Sequence, residues 1–318
     1  AMEKNEGFRH DGKEFYFSPH VGWSKITSSL SSFRMYPVGY TFDSAGLGLF
    51  CKDKNSDLKL AVAFLNSKVA AYLINLLNPT LNVTPEIVKR IPYNKPLDFD
   101  LSVIDELCNI SESDWNEIES SRDFQGLRFA VGSLSLEKSW KNWQSIVDQR
   151  FVRTTKLEEE NNRLFINAYG LQDELTPEVP EDQITLARAD REKDCQRLIS
   201  YAIGCMMGRY SLDAPGLIYA HAGNVGFDAS RYPSFPADAD GILPVTDQPW
   251  FADDAAARVR EFLHAVWGPD TLEENLAWLA ESLGPKGSET PEETIRRYIA
   301  GQFFKDHLQT YKKRPIYW

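Results

Sequence analysis

The chain is poor in cysteine. Four thiols in 318 residues, Cys51, Cys108, Cys195 and Cys205, form no C-x-x-C pair and stand at no zinc-like spacing to the five histidines. That excludes a disulfide framework and a zinc knuckle, and leaves the thiols as small apolar residues of a reducing compartment. Long hydrophobic runs are missing too. The best candidate, 58–77, is interrupted by Lys59, Asn66, Lys68 and Asn75, whereas a bilayer span needs about 20 mostly apolar residues. No basic stretch followed by an apolar one opens the chain, so no secretory signal is read. Catalytic signatures are absent as well: there is no G-x-S-x-G, Walker or H-E-x-x-H pattern, and Gly46-Leu47-Gly48 has no third glycine at dinucleotide-binding spacing. The expectation is a soluble, cytoplasmic protein with no catalytic residue and no metal or cofactor site of its own.

Hydrophobic residues make up 42% and charged residues 25%, ordinary for a globular chain with ample core. Net charge is −11, unevenly spread. Residues 1–97 carry 12 Lys and Arg against 8 Asp and Glu, a balance of +4; residues 98–318 carry 23 against 38, a balance of −15. Any surface that tracks phosphates therefore belongs to the first part.

The stretch 58–93 organises the rest. Apolar residues at 62, 65, 69, 72, 73, 76 and 77 predict one amphipathic helix that stops at Asn78-Pro79, because the residue before proline is pushed out of the α region. Thr84-Pro85-Glu86 is a helix start, with a capping hydroxyl, proline first and a carboxylate at the positive end. Before it, alternation at Phe15/Phe17, Phe33/Met35 and Tyr40/Phe42 predicts strands, and 45–50 a buried strand whose glycines permit close backbone approach. The loop 23–32 is rich in serine: short hydroxyls and Lys25 suit phosphates, and Trp23 is either a wedge or core.

After a linker with short helices over 94–133, a long helix is predicted for 134–169, with a seam through Leu136, Trp140, Trp143, Val147, Phe151, Leu157, Leu164 and Ala168 and Gly170 as its cap. Further helices are predicted over 187–207, 252–266, 272–283 and 291–311, the last opened by the capping box Thr290-Pro291-Glu292-Glu293, with a short strand at 242–245. Arg209 suits either an ion pair with Asp213 or DNA. Lys305, Lys312, Lys313 and Arg314 suit either the helix C-terminus or phosphates. The closing Pro315-Ile316-Tyr317-Trp318 is apolar, and the expectation is of a chain cut from a longer protein. The fold class is α+β: a small mixed α/β lobe at 1–97, a linker and long spacer helix at 98–170, and a helical C-terminal domain at 171–318.

The segments Phe64-Leu65-Asn66-Ser67-Lys68-Val69-Ala70, Leu77-Asn78-Pro79-Thr80-Leu81-Asn82 and Arg90-Ile91-Pro92 resemble the end of a DNA target-recognition domain, as in type I restriction specificity subunits and fused methyltransferases. Trp23-Ser24-Lys25-Ile26, Tyr169-Gly170-Leu171-Gln172-Asp173-Glu174-Leu175, Gly204-Cys205-Met206-Met207-Gly208-Arg209-Tyr210-Ser211-Leu212-Asp213 and the closing Tyr311-Lys312-Lys313-Arg314-Pro315-Ile316-Tyr317-Trp318 resemble, in matching order, the PglX family of adenine-specific DNA methyltransferases of bacterial BREX phage defence.

The resemblance implies that 1–97 recognises duplex DNA. Ser24, Lys25, Ser28, Arg34, Asn78, Thr80, Asn82, Lys89 and Arg90 are the expected contacts, since amides and guanidinium groups make bidentate base-edge contacts and cations set register on phosphates. It also implies that the catalytic domain and its S-adenosylmethionine lie outside this chain, because Asn78-Pro79-Thr80-Leu81 lacks the second proline and the aromatic of the Asn-Pro-Pro-Tyr motif that holds a flipped adenine. The expected partners are duplex DNA and the protein's own catalytic domain, with no membrane. A competing reading is a helical, acidic protein–protein scaffold that docks other BREX proteins. A third is that the basic lobe meets a DNA-mimicking phage inhibitor.

Overall fold

The computed structural model describes residues 12–28, 30–51, 55–78, 80–96, 99–130, 134–221, 223, 225–314 and 316. Pro79, Pro315, Tyr317 and Trp318, used above, lie outside them. The fold is α+β, and the chain divides into two compact units. One comprises 1–111 with 151–185, the other 112–150 with 186–318. The crossings fall at 111/112, 150/151 and 185/186, not at the 97/98 and 170/171 positions read from composition.

In the first unit, β1 (His20–Ser24) is the centre of a three-stranded antiparallel sheet, flanked by β2 (Phe33–Tyr36) and β3 (Gly46–Leu49). Alternation sends Val21, Trp23, Phe33, Met35, Leu47 and Leu49 to one core, shared with Leu58, Val62, Leu65, Val69 and Ile74. The other face is aromatic: His20 stacks on Tyr36 at 5.0 Å, and Phe50 lies 5.1 Å from both His20 and Phe42. Gly22 is required there, since a Cβ would meet the Tyr36 ring at 2.7 Å. β3 is half-buried rather than buried, and Tyr40/Phe42 form no strand. Lys13–Phe15 is a 3-10 turn, so the Phe15/Phe17 alternation is not extended backbone.

The expected single helix over 58–77 is two, α1 (Asn55–Leu65) and α2 (Lys68–Leu77), bent by 71° at the break. The reason is local. Ser67 adopts an extended conformation and caps α2 through Ala70 N–H, while Asn66 is drawn off to the edge of β2. Its carboxamide oxygen accepts Phe33 N–H at 2.9 Å and its nitrogen donates to Phe33 C=O at 2.8 Å, a side-chain substitute for a neighbouring strand. No described helix alone is long and apolar enough to cross a membrane. α2 ends at Leu77 with Asn78 extended, as the following proline demands.

α3 (Pro85–Arg90) starts at the expected proline with Thr84 at the N-cap position, but the Thr84 hydroxyl makes no capping bond and meets the Glu86 carboxyl instead. Its exit is clamped by the end of the long helix, where Tyr169 O–H donates to Pro92 C=O at 2.5 Å and accepts Asn94 N–H at 2.7 Å. The expected linker over 94–133 holds a 15-residue helix, α4 (Leu101–Trp115). Four-residue spacing buries Val103 and packs Leu107 on the same core.

The long helix is α5 (Leu136–Tyr169), 34 residues, ended by Gly170 at φ +66°. Its seam residues Leu136, Trp140, Trp143, Val147, Phe151 and Leu157 are buried. The first four lie in the second unit and the last two in the first, so one seam serves two cores. Trp140 and Trp143 are core, not stacking platforms.

The second unit packs α6 (Arg191–Met206), α7 (Ala255–Trp267), α8 (Leu272–Ser282), α9 (Pro291–Tyr298) and α10 (Phe304–Thr310). Buried Asn275 of α8 accepts Leu136 N–H at 2.7 Å and so caps α5. The capping box at Thr290 and Glu293 forms as read. The last helix is not continuous, because Ile299–Phe303 widens into a π turn around Gly301. The expected strand at 242–245 is irregular.

On α5, Glu158 shares a helix face with Thr154 and Asn161, whose Oγ1 and Oδ1 are buried without a hydrogen-bond partner among the described residues. Burial pushes the Glu158 carboxyl up from 4.5 to about 7. A raised carboxyl makes the native state bind the extra proton, so its contribution is fully present below the ordinary value and is lost as pH rises through about 7. Glu158→Gln is expected to stabilise the chain by about 2 kcal/mol at pH 8 and to change little at pH 4.5, as read by urea unfolding at both values. Asn66→Ala, which strips Phe33 of both partners, should cost about 1–3 kcal/mol in the same assay.

Candidate nucleic-acid interface

The loop that follows β1 and the loop between α2 and α3 are held together by main-chain hydrogen bonds. Val83 N–H donates to Lys25 C=O at 2.8 Å, Thr27 N–H donates to Leu81 C=O at 3.2 Å, and Ile26 and Asn82 form an antiparallel bridge. The anchor is Trp23. Its ring is buried against Phe33 at 5.5 Å, and its indole N–H donates to Val83 C=O at 2.8 Å. Trp23 is therefore core and a clamp, and not a wedge.

This pairing gathers some of the expected contacts and leaves others apart. Lys25, Ser28, Thr80 and Asn82 sit on adjacent exposed loops. Lys89 joins them through Glu86. The Glu86 carboxyl is held below the usual range by its own backbone N–H, then by the Thr84 hydroxyl, and also by the positive charges of Lys89 and Lys25. Both lysines are thus within electrostatic reach of one carboxylate, yet among the described residues neither forms an ion pair. Arg90 is exposed but emerges roughly 100° further round α3 than Lys89. Arg34 and Ser24 project from the outer face of the sheet, Arg34 from β2, the edge strand opposite β3. The structure does not bring Arg34 to the lysines.

Asn78 has another task. Its nitrogen donates to Thr80 C=O and, at 2.6 Å, to Asn82 C=O, while its oxygen accepts Thr80 N–H and, at 2.7 Å, the Thr80 hydroxyl. All its hydrogen-bonding capacity goes into shaping the 78–82 loop, and Thr80 shares that work. The Asn82 carboxamide is exposed and makes no hydrogen bond among the described residues.

Between the two loops lies an open cavity of about 390 Å³. Leu65, Ala71, Ile74 and Val83 give it an apolar floor, and Ser28, Ser31, Asn75 and Thr80 a polar rim. No charged side chain lines it among the described residues. Leu30 and Leu81, which line it, are exposed by 52% and 60%, as is Ile26 of the same loop pair by 66%, and Leu76, expected on the apolar face of the helix, is exposed by 65%. A signal was present, since each of Ile26, Leu30 and Leu81 interrupts an otherwise polar loop. Among the described residues no cluster of His, Cys, Asp or Glu suits a metal.

No protein-family profile matches the chain. It is similar over nearly its full length to two curated proteins. One is the adenine-specific methyltransferase PglX of Lacticaseibacillus casei (strain Zhang), 39% identical over 319 aligned residues, which cover 97% of this chain and 26% of that protein. The other is the adenine-specific methyltransferase BrxX of Escherichia coli O9:H4 (strain HS), 36% identical over 332 residues, covering 96% and 27%. The chain thus spans about a quarter of the length of the curated relatives it matches.

Asn78→Ala should lower stability by about 1–2 kcal/mol, because it leaves the 80 and 82 carbonyls and the Thr80 hydroxyl without their partner. Asn82→Ala should stay within about 0.5 kcal/mol of the parent. Thermal unfolding of the two variants side by side makes the comparison.

Proposed function

We propose that this chain supplies duplex-DNA recognition to an adenine-specific methyltransferase of a BREX phage-defence system, with S-adenosylmethionine and methyl transfer belonging to a catalytic domain elsewhere in the whole protein. One observation carries the reading. The pairing of 25–27 with 81–83 holds Lys25, Ser28 and Asn82 on adjacent exposed loops, and Lys25 and exposed Lys89, both acting on the Glu86 carboxyl, stand outside any ion pair among the described residues. The similarity to two adenine-specific methyltransferases supports it. In this reading the lysines set register on phosphates, and the free Asn82 amide reads a base edge.

Charge at the scale of the folded unit gives no help. Residues 1–111 and 151–185 together hold 15 Lys and Arg against 20 Asp and Glu, a balance of −5. Attraction to phosphate must come from the local group, and Glu86 opposes it.

A second reading assigns the helical unit to docking other proteins of the defence system. Its support is the trio Ile242, Trp250 and Phe251, exposed by 66%, 71% and 51%. A pull-down with Trp250→Ala as control tests it.

Fluorescence anisotropy on a duplex selected from a random pool tests the first reading. Lys25→Ala and Lys89→Ala should weaken binding to all duplexes alike and each lower the salt slope by about one. Glu86→Gln should tighten binding, and Asn82→Ala should flatten the preference for the selected site. Equal affinity for selected and scrambled duplexes, or none at low salt, would sink the recognition reading.

A further inference from the structure

The cavity between the loops shares Ser28 with the contacts just described, and its chemistry otherwise differs from theirs. It is uncharged, apolar at the floor, hydroxyl- and amide-bearing at the rim, and roomy at about 390 Å³. Lys25 belongs to the loop pair that bounds it and shares the Glu86 carboxyl with Lys89, and neither lysine is among the described residues that line it. A ligand suited to both would carry negative charge on one part and present a flat, neutral, hydrogen-bonding group on another. A nucleotide still joined to its strand has that division, with its phosphates at the cations and its base in the uncharged space.

The mouth adds the second half of the argument. Leu30 and Leu81 line the cavity and are yet largely exposed, an unfavourable place for leucine unless something covers it. Apolar side chains that enter a base step fill the space a displaced base vacates and recover part of the unstacking cost. The two leucines come from opposite loops, and the bond from Thr27 N–H to Leu81 C=O fixes those loops to each other. The wedge and the cavity are therefore parts of one rigid junction.

Resting on the DNA-recognition reading above, we propose that the cavity between the 27–31 and 80–83 loops receives a single base extruded from the bound duplex, with Leu30 and Leu81 filling the gap it leaves. The hydroxyls of Ser28 and Ser31 and the carboxamide of Asn75 face the edge of that base, while Leu65, Ile74 and Val83 cover its plane. This base is one that is read, and the chain performs no chemistry on it.

The test uses the full chain and its selected duplex with 2-aminopurine placed at each position of the site in turn. Binding is followed by anisotropy in the same samples. A severalfold rise in 2-aminopurine emission at one position, lost in Ala71→Trp, which fills the cavity wall, while the duplex is still bound, supports the proposal. Leu81→Ala, on an exposed residue, keeps the test open if the larger substitution misfolds: it should cut the rise at the same position. Emission unchanged at every position of a bound duplex overturns the extruded base and leaves recognition standing. A rise that persists in both variants also overturns it, because bending alone would explain the unstacking. No binding to any duplex overturns recognition and the extruded base together.

Discussion

The hydrogen bond from the Trp23 indole to the Val83 carbonyl is the contact on which the candidate interface depends. It joins the central strand of the sheet to the exit of the helical pair across 60 residues of sequence. A buried indole N–H without a partner is costly, so the register of the 81–83 segment against 25–27 is set from inside the core. The main-chain bonds that follow merely continue that register outward. Without it, the loop of Lys25 and the loop of Asn82 would be independent of each other.

Two devices protect the arrangement. The sheet is small and both its edges are at risk, and Asn66 covers one of them at Phe33 by leaving the helix it would otherwise continue. The break this makes between α1 and α2 points α2 toward the loops, and Asn78 then folds the 78–82 turn upon itself. The amide at 78, expected in the sequence to read bases, is like the one at 66 a builder of backbone. The amide at 82 is distinguished from them by making no hydrogen bond among the described residues.

The long helix does a related service. Its seam is continuous in sequence, but residues up to 150 pack in one unit and residues from 151 in the other. In the first unit it presents Tyr169 to the exit of α3 and Asn161 to Ala63 C=O, thereby holding the helices that carry the loops. The cost is a face with Glu158 poorly hydrated.

Local rules were legible from residues alone. Thr84-Pro85 starts a helix, Asn78-Pro79 ends one, Gly170 closes α5 and Thr290 with Glu293 forms a capping box, because each depends on a few neighbouring residues and on φ, ψ preferences. The α+β class and the similarity to adenine-specific methyltransferases were legible for the same reason, in short motifs and their order. Other features belonged to the tertiary structure. The helix break at Asn66 needs a strand edge 33 residues away, and the role of Trp23 needs a carbonyl 60 residues away. The +4 of residues 1–97 also dissolves once 98–111 and 151–185 fold with them, since charge acts through space and a contiguous stretch is not a surface. Periodicity reports which side of an element is buried; only packing decides what it is buried against, and so which polar groups are left to meet a partner.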